Sequence, residues 1–105
     1  MDSARRSAPP TPRLELIVPA DYKVFLLEEI FQSLDSLDYR GRIRVLDFCT
    51  RLGNQPTLRG DFRERGADGR NHEVKIIGSF AVAWWVDDAV KEVKVVGFRA
   101  ADRGT

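Results

Sequence analysis

Six cations in the second half of this chain are the side chains best suited to chemistry: Arg63, Arg65, Lys75, Lys94, Arg99 and Arg103. An arginine fork pairs two phosphate oxygens at once, whereas lysine is a point charge that acts as a base only with a lowered pKa. Residues 40–75 hold nine Lys/Arg against five Asp/Glu, while residues 14–39 hold six carboxylates against Lys23 alone. That asymmetry has two readings. Two oppositely charged faces of one fold attract each other, or the basic middle segment meets phosphates. In "FRER" Arg63 and Arg65 alternate, so both lie on one side of a strand and extend a phosphate track.

Other reactive groups are few. Cys49 is the one cysteine, which excludes an internal disulfide and fits a reducing cytoplasm. It stands beside Phe48 on the apolar stripe of a helix and reads as a core thiol. His72 is also alone, so no metal site is expected and no cofactor. There is no phosphate-binding glycine loop, dinucleotide fingerprint or Ser/His/Asp set. The remaining feature is "FAVAWWVDD" at 80–88. Alternation puts Phe80, Val82 and Trp84 on one face and Ala81, Ala83 and Trp85 on the other. The larger set suits a helix-covered side. Trp85 then stands on an open face beside two alanines, either packed under a basic stem or bound to a partner.

The elements that position these groups follow from period and punctuation. Residues 1–12 are rich in Pro, Ser, Ala and Arg and read as a flexible tail, leaving 13–103 as a single domain. "RLELIV" reads as a first strand ended by Pro19. Asp21 is placed to cap a helix over "YKVFLLEEIFQSL", whose stripe is Val24, Leu27, Ile30, Phe31 and Leu34. Phe25 falls on the polar side of that helix, where it either tucks back locally or marks a partner surface. A second helix runs from Tyr39 to about Leu52, with Gly53 just past its end. The period then changes to two: "LRGDFRER", the Asp68-Gly69 turn, "NHEVKII", Gly78, "FAVAWWV" and "VKVVGF". The expected fold is α+β, in the order β-α-α-β-β-β-β. A helical hairpin packs on one face of a mostly antiparallel sheet of four to five strands. Formal net charge is +1, no apolar run reaches a membrane span, and the N-terminus has no secretory h-region, so the expected location is cytoplasmic with no membrane partner.

A short strand, a helical hairpin ending near "LGNQPTLRGDF", and then "EVKIIGSFAVAWWVDDAVKEVKVVGFR" together resemble the RelE/ParE superfamily of toxins from bacterial type II toxin–antitoxin (plasmid stabilisation) systems. The resemblance spans about residues 13–103 and is strongest over 73–99. It implies a RelE-like toxin that inhibits translation by cutting messenger RNA on the ribosome, neutralised by a cognate antitoxin protein. On this resemblance Arg99, Lys75 and Arg103 are the catalytic candidates, and Arg63, Arg65 and Lys94 the RNA contacts. Trp85 and Phe25 are the partner contacts. Ala81 stands where that superfamily commonly carries arginine, and no tyrosine follows Arg99. Those two departures imply the alternatives: a non-catalytic, degenerate toxin that binds protein or RNA, or a ParE-like inhibitor of gyrase.

Overall fold

The computed structural model describes residues 13–17 and 20–101. The expected tail, the last residue of the expected first strand and Arg103 lie outside the described residues. The order of elements is β1 (Arg13–Leu16), β2 (Lys23–Leu27), α1 (Glu28–Ser33), a 3₁₀ turn (Leu34–Ser36), α2 (Tyr39–Asn54), β3 (Phe62–Arg65), β4 (Asn71–Ile77), β5 (Phe80–Asp87) and β6 (Glu92–Ala100). The class is α+β, as expected. The sheet has six strands in the order β1-β2-β6-β5-β4-β3. All pairs are antiparallel except β2 with β6, which is parallel.

The extra strand corrects the expected first helix. "KVFLL" extends instead of coiling, and the helix begins only at Glu28. The segment satisfies both periods, because Val24 and Leu26 alternate with Lys23, Phe25 and Leu27. Tertiary pairing decides: β2 fills the slot between β1 and β6, so its backbone is bonded on both sides. Val24 and Leu26 are then fully buried. α1 and the 3₁₀ turn keep Ile30 and Leu34 on the core side, and the first-turn Glu28 and Glu29 of α1 complement the helix dipole.

α2 starts where the sequence places it. Asp38 caps it by accepting from the Gly41 N–H at 2.7 Å. Its end runs past the expected stop, and Gly53 lies inside the helix, buried. A Cβ there would stand 2.8 Å from the Ala20 Cβ and 2.9 Å from the Tyr22 carbonyl oxygen. Gly53 therefore serves close approach of the helix to the segment before β2, where it accepts from the Tyr22 N–H. Both helices pack on β2 and β6. Val24, Leu26, Val82, Trp84, Val93 and Val95 supply the sheet side of that core. Trp84 is fully buried, edge-on to Phe48 with ring centroids 5.2 Å apart. No helix among the described residues is long and apolar enough to cross a membrane.

Candidate functional site

Strand pairing fixes which side chains share the face away from the helices. Phe25 pairs Lys94, Lys94 pairs Trp85, and Glu64 pairs His72 in the register of β3 with β4. Farther along, Arg99 pairs Ala81, and Ala81 pairs Ile76. The open face thus carries Phe25, Lys94, Trp85, His72, Glu64 and Arg99. Alternation along β5 sends Trp84 inward and Trp85 onto this open face, as the sequence indicates.

Trp85 is half-buried because cations roof it. The Arg70 guanidinium carbon lies 4.0 Å from its ring centroid and the Lys94 Nζ 4.9 Å. Phe25 is roofed in the same way by Arg13 at 4.3 Å. Lys94 is also paired with Asp87 at 3.6 Å and Glu92 at 3.5 Å. The trough beside Trp85 is a small second core of Val74, Ala81 and Ala83, with Ile76 against it.

Arg99 and Glu64 meet on this face from strands separated by β5 and β4. Arg99 Nη1 donates to Glu64 Oε2 and Nη2 to Oε1, both at 3.1 Å. Beside them His72 is nearly buried, with Nε2 3.1 Å from each Asp68 oxygen. The Asp68 carboxyl is held below its usual range, first by the Arg70 backbone N–H and then by His72 and the Arg70 charge.

Three of the expected phosphate contacts occupy the opposite face. Lys75 pairs Val82, so it points to the helix side, where its Nζ lies 3.3 Å from Asp61 Oδ1. Asp61 also accepts from the Ile76 N–H at 2.8 Å; that bond, with Lys75 after it, lowers its carboxyl pKa. Arg63 pairs Glu73, which pairs the inward Trp84. Its Nε donates to Glu73 at 2.8 Å, and Glu73 accepts from the Gly60 N–H as well. Arg65 lies on that side too, exposed and opposite Asn71. A cleft of about 590 Å³ runs past this end of the sheet and touches both faces, lined by Arg59, Arg63, Arg70, Glu73, Trp84 and Trp85 among others.

Strand register therefore puts Arg99, Lys94, Trp85 and Phe25 on one face and Lys75, Arg63 and Arg65 on the other, although Arg63 and Trp85 both reach the cleft at the sheet end. Sequence reasoning missed Glu64, Arg70 and the Asp68–His72 pair. The signal was available in part: a hairpin turning at Asp68-Gly69, where Gly69 adopts φ +83°, sets Glu64 opposite His72. Chemically the open face offers a forked donor for an oxyanion, a cation-roofed aromatic and a histidine engaged by a carboxylate. Among the described residues no group of three or more His, Cys, Asp or Glu is placed to hold a metal.

Comparison with known proteins adds to this geometry. No protein-family model matches the chain, and no curated protein matches it. Among solved structures, a chain of the archaeal RelE–RelB complex from Pyrococcus horikoshii OT3 is similar to it, with a TM-score of 0.68 at 21% identity. The match covers 80% of this chain and 99% of that one. With its six-stranded sheet and helices on one side, this chain shares the RelE-like fold of that structure.

Proposed function

We propose that this chain is the toxin component of a toxin–antitoxin pair, bound by a small antitoxin protein in the cytoplasm. Its open sheet face engages messenger RNA on the ribosome, with Arg99 as phosphate contact and Trp85 farther along the same face. The observation that carries this reading is the likeness of the fold to a chain from a RelE–RelB complex, which itself pairs two proteins. The clustering of Arg99, Lys94 and Trp85 on the face free of helices supports the RNA part. Cleavage by 2′-hydroxyl attack further needs a base, an acid and phosphate donors within reach of one another. Arg99 fits the donor role.

A second reading has its own observation in favour. Ala81, Ala83 and Val74 make the floor beside Arg99 apolar, and Lys75 faces the other side. That floor supports a non-catalytic toxin relative that acts by binding, or a gyrase-directed one.

One experiment separates the readings. The protein is induced alone, and messenger RNA ends on ribosomes are mapped while growth is followed. Growth arrest with new cleavage ends, relieved by Arg99→Ala, is the expected result. Arrest without cleavage but with inhibited supercoiling by purified gyrase moves the function to the gyrase-directed class. Harmless induction together with a tight antitoxin-type complex leaves the binding module.

A further inference from the structure

We infer that Glu64 is the specificity-determining residue of the open face: a built-in carboxylate that occupies Arg99 and has to be displaced before a phosphate can bind there. This rests on the reading that Arg99 is a phosphate contact. Both terminal nitrogens of Arg99 are engaged, each by a different Glu64 oxygen at 3.1 Å. That end-on fork is the arrangement a phosphate uses on arginine. Glu64 thus fills the geometry with an oxyanion of its own.

Three features build this contact. Glu64 stands on β3, with β4 and β5 between it and β6, and its backbone is fixed opposite His72. The residues between are short: Ala81, Ala83 and Val74 leave a trough over which two long side chains can meet. The side chains of Arg99 and Glu64 are 49% and 36% exposed, so solvent and an incoming anion reach the pair. An exposed ion pair contributes roughly 0–1 kcal/mol, so Glu64 is a modest competitor whose removal raises oxyanion affinity by up to about fivefold. It selects against weak or singly bonding anions and leaves room for a ligand that adds contacts to Trp85 or Lys94.

The test measures binding of a labelled single-stranded RNA oligonucleotide, and separately of inorganic tripolyphosphate, to the full chain at low salt. Glu64→Gln, Arg99→Ala and the double variant are compared with Glu29→Gln, which changes net charge equally on exposed α1. Glu64→Gln is expected to bind both probes up to about fivefold tighter, Glu29→Gln to match the parent, and the double variant to match Arg99→Ala. A gain equal to that of Glu29→Gln, or one that survives in the Arg99→Ala background, overturns the inference. If Glu64→Gln gains only for tripolyphosphate while no variant binds RNA, the role of Glu64 stands and the RNA reading falls. If Arg99→Ala loses RNA while Glu64→Gln changes nothing, the RNA reading stands and the role of Glu64 falls.

Discussion

Gly66→Ala tests whether the β3–β4 hairpin is locked by the His72 ring. An alanine Cβ at position 66 overlaps His72 Cε1 outright and falls 2.6 Å from Nε2 and 2.8 Å from Nδ1. Ordinary contacts between such atoms lie near 3.5–4.0 Å, so the ring has to retreat by about 1 Å. It has little room to do so, being 7% exposed and held by both Asp68 oxygens at 3.1 Å. Overpacking of this kind costs about 1–3 kcal/mol. For a domain of this size that is a drop in Tm of about 4–8 °C for each kcal/mol. Urea unfolding followed by tryptophan fluorescence gives the value. The same substitution in a His72→Ala background, where the ring is gone, is expected to cost under about 0.5 kcal/mol, so the cycle isolates the contact. Equal costs in the two backgrounds, or none in the parent, refute the steric argument. Because the same hairpin carries Glu64 and Arg70, Gly66→Ala is also expected to loosen the Arg99 pair and the Trp85 roof.

Other expectations follow from the same contacts. Burial pushes the Cys49 thiol up to about 12, so a thiol reagent at pH 8 leaves the native protein unlabelled and labels it on unfolding. Asp61 and Asp68 both have folded pKa values below their usual range, chiefly through backbone N–H donors. Their stabilisation is therefore complete above about pH 4 and is lost as pH falls through the folded values; Asp61→Asn and Asp68→Asn flatten that acid limb of a denaturation series. Trp84→Ala empties the centre of the helix-side core and is expected to cost about 3–5 kcal/mol by urea unfolding, against under 1.5 for Trp85→Ala if roofing is its main role. In the growth assay Lys75→Ala relieves toxicity less than Arg99→Ala, since Lys75 faces the helix side; equal relief contradicts the facial assignment.

What the sequence made legible was local. Alternation in "FAVAWWV" separated Trp84 from Trp85, the helical period set the start of α2 at Tyr39, and Asp68-Gly69 marked the hairpin. Each signal is carried by residues a few positions apart. "KVFLL" failed because a five-residue run with Val24 and Leu26 inside fits a helix stripe and a strand face equally, and only pairing to β6, about 70 residues away, decides between them. The faces of the candidate cations were illegible for the same reason. Lys75, Lys94 and Arg99 are alike as cations, and the face each one occupies depends on register, which a single residue inverts. The register shift between β5 and β6 at Ala83/Trp84 is one such adjustment that residue types do not announce.

The strand order has a consequence for synthesis. β6, the last strand among the described residues, lies in the middle of the sheet between β2 and β5. Until residues 92–100 have left the ribosome, the sheet exists as two unjoined halves: β1–β2 with the helices, and the β3–β4–β5 meander. Each half presents an unpaired strand edge next to apolar side chains, Val24 and Leu26 on one and Val82 and Trp84 on the other. A nascent chain stalled before residue 92 is therefore a template for pairing with its neighbours. Completion inserts one strand into a waiting slot and joins contacts far apart along the chain, the kind of pairing that slows folding.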